Sequence, residues 1–293
     1  MPDLLVPMDG HPPAETALQY ALTEFPDARI TVLYVIGVVD SESEAERVSG
    51  YREDKYERER ESATDVFETV EQYAADADVD VDTDIAYGPP SRTIPEYADG
   101  FDGVVMGEHG QAGARQILLG GVAETVVRRA PVPVTVVRDC STGTGDGRFL
   151  VAVDGSPPSR RAVEHAFARH EPAEVVLLHV VDPSDAHGGG LIDDIRDAPP
   201  HGSDAWYDHV ESAAERLLSE CRESVASLAG EASVITDVEV GDPSRVIVER
   251  AGRDGSDHVI VGSHGRTGLD RLVLGSVAER VVRRAPVTVT VVP

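Results

Sequence analysis

Four residues in the second half of the chain are spaced as a ligand-binding loop requires: Gly262, two residues, Gly265, nine residues, then Gly275-Ser276. The segment GSHGRTGLDRLVLGSVAE begins where an apolar run ends and finishes where an amphipathic one begins. Glycine lets a backbone approach a ligand closely and adopt positive φ. A helix starting at the far end offers unpaired N–H groups and partial positive charge, a seat for phosphate. Ser276 stands three residues before Glu279, the spacing of a capping box. Its hydroxyl can cap the helix, bind phosphate, or do one and then the other. Arg266 would add positive charge against a phosphate. Asp154 follows the apolar run Phe149–Val153, at what should be the carboxyl end of a strand, the usual ligand edge of an open parallel sheet. Its carboxylate can accept hydrogen bonds from ribose hydroxyls or an adenine amine. Val180, in a second β-branched run, brings backbone and a side chain able to flank a base.

Plainer readings exist for the same residues. Asp9 and Asp154 each precede Gly and Pro, and such aspartates often satisfy their own turn. A glycine after a strand is often only a bend. His109 and His264 precede loop glycines, but no nucleophile or paired carboxylate accompanies them, so no catalytic residue is assigned. There is no GxxxxGK[ST], and Lys55 is the only lysine. No GxGxxG follows the first strand, and no GxSxG elbow is present. His187 and His201 with Asp193 and Asp194 have irregular spacing that suits a solvated loop better than a metal site.

The elements that must position these residues occur twice. GGVAETVVRRAPVPVTVV (Gly120–Val137) and GSVAERVVRRAPVTVTVV (Gly275–Val292) differ at 3 of 18 positions. VPMDG (Val6–Gly10) pairs with VAVDG (Val151–Gly155), and VVMGEHG (Val104–Gly110) with VIVGSHG (Val259–Gly265). The offset grows from 145 to 155 residues, so the second copy holds ten extra residues in its middle. Each copy, 1–139 and 147–293 about a polar linker at 140–146, is long enough to bury its own core.

Within a copy, short apolar runs alternate with stretches of helical period. Ala14, Ala17, Leu18, Ala21 and Leu22 form one helical stripe, and Ala162, Val163, Ala166 and Phe167 its counterpart. Ile30–Val39 and Glu174–Val181 read as strands covered on both faces. Longer helices follow, through Ala63, Val66, Phe67, Val70 and Ala74, and through Val210 to Val225. Val79–Ala86 and Val234–Val240 alternate with acidic residues, as edge strands do. The order βαβαβαβαβ predicts an α/β fold: a parallel sheet with helices on both faces. The extra segment, Asp182–Trp206, has six aspartates and several glycines and reads as a mobile loop near the base pocket, at most a lid, unless Trp206 and Tyr207 anchor it.

Composition limits the partners. The formal charge is −27, from 53 acidic and 26 basic residues. A surface so acidic repels nucleic-acid phosphates and anionic membrane. Carboxylates with almost no lysine suit a halophilic, salt-rich cytoplasm, where charge is screened over about 3 Å at 1 M salt. Cys140 and Cys221 are the only cysteines and form no CxxC, consistent with a reducing compartment. The MPDLLVPMDG start has no signal-like pattern, and no apolar run reaches the ~18–20 residues of a membrane span. The expected location is cytoplasmic.

Taken together, the Asp-Gly after the first strand, VGSHGRTG and GSVAERVVRRAPVTVTVV resemble the universal stress protein family in its tandem two-domain form. The likeness spans almost the whole chain. It implies, for each copy, an open twisted five-stranded parallel sheet of order 3-2-1-4-5, flavodoxin-like and adenine-nucleotide-hydrolase-like. One subclass of that family binds ATP through the G-x-x-G-(nine)-G-[S/T] pattern, matched in full at Gly262, Gly265, Gly275 and Ser276. By this likeness adenine and ribose would meet Asp154 and Val180. Phosphates would meet Gly265, Gly275, Ser276 and the Val277 backbone, with any Mg²⁺ held mainly by the phosphates. The first copy keeps Asp9, Val35, Gly107, Gly110 and Gly120 in register, but Gly121 replaces the serine, Gln111 the arginine, and Glu108 adds a negative charge. A weaker first site is therefore expected. Family members also pair through their last strands. Pairing Val132–Val137 with Val287–Val292 would make an intramolecular pseudo-dimer, and a further homodimer is compatible with it. A nucleotide-binding stress or regulatory module is the expected function, with at most slow ATP turnover, since no base for water is evident. The alternative is a protein-interaction scaffold whose glycines only shape loops.

Overall fold

The computed structural model describes residues 1–37, 49–108, 120–138, 147–185, 191, 199–265 and 274–293, with backbone alone for 49–56. It divides into two compact units, Met1–Gly143 and Thr144–Pro293. The first contains β1 (Asp3–Met8), α1 (Pro12–Glu24), β2 (Arg29–Ile36), α2 (Ser49–Ala77), β3 (Val81–Tyr87), α3 (Pro90–Tyr97), β4 (Gly103–Gly107), α4 (Gly121–Arg129) and β5 (Val134–Val137). The second contains β6 (Arg148–Ala152), α5 (Pro157–Ala168), β7 (Glu174–Val181), α6 (Asp204–Ser224), β8 (Ser233–Val240), α7 (Pro243–Arg253), β9 (His258–Gly262), α8 (Ser276–Arg284) and β10 (Thr288–Val292).

All strand pairs within a unit are parallel. Their orders are β3-β2-β1-β4-β5 and β8-β7-β6-β9-β10, the 3-2-1-4-5 arrangement in both. The direction of winding reverses between β1 and β4, and between β6 and β9. Helix crossovers diverge there and leave a crevice at the strands' carboxyl ends. The central strands are β-branched runs because helices cover both faces. The acidic, alternating β3 and β8 are each an edge strand of their own unit, paired there only with β2 and β7. β8 is pinned to α7 by Arg250, which reaches Asp237 at 2.6 Å and also contacts Glu239 and Asp254.

Each unit closes over its own core. Val6, Leu18, Ile30, Val32, Ile36, Ala63 and Val70 meet in the first. Val151, Val163, Ala166, Val175, Leu177, Leu218 and Ile260 meet in the second. The inserted segment ends earlier than its composition suggests. Ser203 Oγ accepts the Trp206 N–H at 3.2 Å and starts α6 at Asp204. Trp206 is only 1% exposed, packed with Val181 and Val210 and edge-on to His201 and Tyr207. The aromatic anchor thus holds this end of the segment. Residues 186–190 and 192–198, where a lid would lie, are outside the described residues, as are Val38, Val39 and the linker 140–146. Among the described residues no helix is long and apolar enough to cross a membrane.

One part of the second core has no counterpart in the first. His165 on α5, His170 just after it and His258 at the start of β9 gather around Phe149, with ring centroids 4.9–5.7 Å apart. His258 Nε2 lies 2.7 Å from Thr290 Oγ1. The equivalent positions of the first unit are Tyr20, Phe25 and Gly103. Burial, helped by the Arg169 charge, holds His165 down at about 4. Burial, then His165, holds His258 at about 3. Burial, then His258 and His165, holds His170 well below the usual range. All three are neutral at pH 7. Each folded value lies below the ~6.5 of an unfolded histidine. The stability that depends on their neutrality is therefore complete above about pH 6.5, and falls as the pH drops from there toward 4, where the unfolded chain takes up protons that the folded chain refuses. For a histidine held at about 4 the loss by pH 5 is roughly 2 kcal/mol. Replacing His165→Tyr and His170→Phe, the first unit's residues, should reduce the loss of unfolding free energy between pH 7 and pH 5 by about that amount or more. Urea denaturation at the two pH values measures it, and an unchanged difference would show that the cluster does not govern acid stability.

Candidate functional site

The crevice of the second unit lies between the ends of β6 and β9. After β6 the chain turns at Asp154-Gly155, where Gly155 takes φ 80°. Asp154 Oδ1 accepts the Ser156 N–H at 2.9 Å, closing the turn. Oδ2 faces the other way: a Cβ placed on Gly265 would come within 2.7 Å of it. One carboxylate oxygen thus serves the turn, and the second is directed across the crevice to the β9 loop. Ser156 and Ser159 brace this arrangement. Ser156 Oγ accepts the Ser159 N–H at 3.3 Å as the cap of α5, and lies 3.4 Å from His264 O. Ser159 Oγ donates to Ser156 O at 3.0 Å and accepts the Asp154 N–H at 3.4 Å. Ser156 before Pro157-Pro158 is the sequence signal for this helix start.

The glycines of the pattern do different things. At Gly262 a Cβ would sit 2.8 Å from Ser159 N and 2.9 Å from Pro158 C. Gly107 is tighter still, 2.3 Å from Pro13 O. These two glycines let the end of a strand lie against the start of a helix. Gly275 closes the neck of the loop: its N–H donates to Ser263 O at 2.7 Å, and a Cβ there would meet His264 Cα at 3.1 Å. Gly120 makes the same bond to Glu108 O at 2.9 Å. Arg266, Gly110, His109 and Gln111 lie outside the described residues.

The capping box expected at Ser276 does not form. α8 is capped by Gly275, whose carbonyl accepts the Glu279 N–H at 2.9 Å, so Ser276 is already the first helical residue. One residue of register separates the sequence pattern from the real cap, and Glu279 instead meets Arg283 at 3.2 Å. The Ser276 side chain is consequently exposed at the helix start. The first-turn N–H groups of Ser276, Val277 and Ala278 have no partner within the helix. They carry the positive end of the dipole, which Arg283 and Arg284 complement at the other end. Gly265 thus lies against the Asp154 carboxylate, and Gly275, closing the loop neck, sets the start of α8 beside them.

Val180 lies near the end of β7, beside β6. Its neighbour His179, 1% exposed, puts Nδ1 2.7 Å from Val153 O. His179 and Tyr34 stand at equivalent positions of the two units, 145 residues apart. Both are buried, and both also make polar contacts, Tyr34 through its hydroxyl to Glu59 at 3.4 Å. Burial raises the Tyr34 pKa, and the Glu59 carboxylate adds to it.

The first unit has the same frame with other polar groups. Asp9 Oδ1 accepts the His11 N–H at 3.1 Å, and the His11 ring stands 3.3 Å from the same oxygen. Glu108, expected to add bare negative charge, is paired with Arg138 at 2.5 Å, and the Arg138 side chain is 7% exposed. The charge is therefore compensated locally. Pro293 occupies the Arg138 position in the second unit. A separate groove of about 630 Å³ lies between α6 and β8, lined among others by Glu211, Arg216, Arg222, Thr236 and Asp237, and shares no residue with the crevice.

Comparison with known proteins gives a consistent result. The family model described as the universal stress protein family matches residues 1–138 and again 147–293. A universal stress protein of Mycolicibacterium smegmatis is 29% identical over 229 residues, covering 73% of each chain. The universal stress protein MJ0531 of Methanocaldococcus jannaschii is 36% identical over 145 residues, covering 46% of this chain and 81% of its own. The crystal structure of a universal stress protein from Archaeoglobus fulgidus superposes with a TM-score of 0.70 at 24% identity, over 99% of this chain and 96% of that one.

The steric roles of the glycines can be separated by mutation. Gly262→Ala and Gly107→Ala should each cost about 1–3 kcal/mol, because backbone must move. Gly121→Ala, with nothing within 4 Å of the new methyl, should change stability by less than about 0.5 kcal/mol. Denaturant titration checks all three. Equal stability of Gly262→Ala and wild type would remove the packing role.

Proposed function

The chain belongs to the universal stress protein family, and from that premise we propose that its second unit binds ATP or a related adenine nucleotide at the carboxyl edge of β6 and β9. The observation that carries this reading is the meeting of Gly265 with the Asp154 oxygen that the turn does not use, beside the Gly275 loop neck from which α8 starts. The amides would hold the phosphates, with Ser276 adding a hydroxyl and Arg266 a charge from its loop. Asp154 would hold ribose or amine groups, and Val180 would flank the base. Any Mg²⁺ would be held mainly by the phosphates; among the described residues no group of three His, Cys, Asp or Glu side chains is placed to bind a metal. The role is regulatory or stress-related, with at most slow ATP turnover, because among the described residues the edge presents no group positioned to activate water.

Several finer readings accompany it. The two domains run over 1–139 and 147–293 with a linker at 140–146. Within its own unit each of β5 and β10 is hydrogen-bonded on one side, and their valine-rich sequences favour pairing with each other. The acidic composition favours a salt-rich cytoplasm. The first unit would bind more weakly, since it lacks the Ser276 hydroxyl and the Arg266 charge, and His11 and Arg138 already engage its carboxylates. A scaffold without nucleotide draws support from Gly107 and Gly262, whose positions packing alone explains.

Calorimetric titration with ATP and Mg²⁺ at high salt tests the reading. One strong site per chain is expected. Gly275→Val should abolish it by pushing the loop neck apart, and Ser276→Ala should weaken it by less than tenfold, the loss of one exposed hydrogen bond. Absence of binding, or full binding in Gly275→Val, would reject the site. In the first unit Gly121→Ser places a hydroxyl in open space at the α4 start and should strengthen its weak binding severalfold. Two equivalent sites in the unmodified protein would contradict the asymmetry.

A further inference from the structure

We propose that His179 is a positioning residue that detaches the Val180 N–H from the sheet and leaves it at the crevice as a donor for an acceptor atom of the bound base. The inference rests on the nucleotide reading above for its ligand, but its structural half stands on the strand ladders alone.

The two units differ by one rung. In the first, β1 and β2 stay paired through Met8↔Tyr34. In the second, β6 and β7 stop at Ala152↔Leu178, which corresponds to Pro7↔Leu33. The next pair, Val153 with His179, is half made: Val153 N–H donates to Leu178 O at 2.8 Å. In a parallel ladder the other half would run from the Val180 N–H to Val153 O. That carbonyl is taken by the His179 ring, with Nδ1 at 2.7 Å. A carbonyl only accepts, so Nδ1 carries the proton. The residue's own side chain has replaced its successor's backbone as donor.

The displaced amide has a definite direction. Alternate amides of a strand point to opposite neighbours, and this one points toward β6 at the level where β6 ends and the chain turns into Asp154. A buried amide costs about 1–3 kcal/mol if it stays unpaired, and Val180 is 8% exposed. A ligand acceptor at the crevice would satisfy it. Donor and carboxylate then stand on one edge, complementary to a heterocycle that offers both a ring nitrogen and an amine. Tyr34, whose hydroxyl turns to Glu59, leaves the rung of the first unit intact. The base-recognising edge is thus built into the second unit only.

Three variants in the full-length protein test this: His179→Tyr, the first unit's residue; His179→Phe, which has no donor; and His179→Asn, which keeps a donor near the same position. Amide exchange is read by NMR without ligand, and ATP affinity by calorimetry. In the unmodified protein the Val180 amide should exchange faster than Leu178 and the other rung amides of β7. In His179→Tyr and His179→Phe it should gain at least about tenfold protection as the rung re-forms, and ATP should bind about tenfold more weakly. His179→Asn should keep both properties of the unmodified protein. A Val180 amide as protected as its rung neighbours from the start, or unchanged by the Tyr and Phe variants, would overturn the proposal. Expected exchange in a protein that does not bind ATP would overturn the nucleotide reading and the ligand half of the proposal, and leave the displaced rung standing. If one aromatic variant fails to fold, the other carries the comparison.

Discussion

The carboxyl edge of each unit depends on one steric constraint: the last residue of β4 or β9 must lie against the first turn of α1 or α5 with no side chain between them. Gly262 stands 2.8 Å, by its missing Cβ, from Ser159 N, and Gly107 2.3 Å from Pro13 O. Interiors are packed tightly enough that a methyl group in that gap would drive the elements apart. Once the approach is fixed, Ser156 comes within reach of His264 O, Asp154 faces Gly265, and the Gly275–Ser263 bond sets where α8 begins. The arrangement of these element ends follows from that backbone contact. It needs no charged side chain among the described residues to exist.

On this shared frame the two units have diverged in polarity. The first meets its aspartate with His11, balances Glu108 with Arg138 and keeps the full β1–β2 ladder. The second has Ser156 in place of the His11 ring, has Ser263 and Pro293 in place of the ion pair, and ends β6–β7 one rung early. The cores differ as well, aromatic at Tyr20 and Phe25 in one unit and a neutral histidine cluster in the other. Duplication has left the geometry common and the side-chain chemistry free to vary. That is the condition under which one copy can specialise in a ligand while the other keeps the structure.

Periodicity made the α/β alternation readable, because strands covered on both faces are near-continuous apolar runs and helices carry a stripe. The edge positions of β3 and β8 followed from acidic alternation. Asp154, Gly265 and Gly275 are gathered at one crevice as their places at element ends imply. Other features depend on contacts that no local pattern encodes. Glu108 and Arg138 are thirty residues apart and meet only because β4 and β5 are neighbours. The histidine cluster joins α5 to the start of β9. The cap of α8 sits one residue before the place that Ser276 and Glu279 suggest, since Gly275 is held by Ser263 and fixes the turn. The contact of the His179 ring with Val153 O is visible only once the strands are in register.

Membership of the universal stress protein family accounts for the duplicated fold, while the nucleotide proposal rests on the chemistry of the second unit's edge. The most direct measurement is a map of amide chemical shifts during titration with ATP and Mg²⁺. The account predicts shifts concentrated at Asp154, Val180, Gly265 and Gly275 through Ala278, with much smaller changes at Asp9, Val35 and Gly120. Shifts that are absent, or that cluster in the first unit or in the groove between α6 and β8, would contradict it.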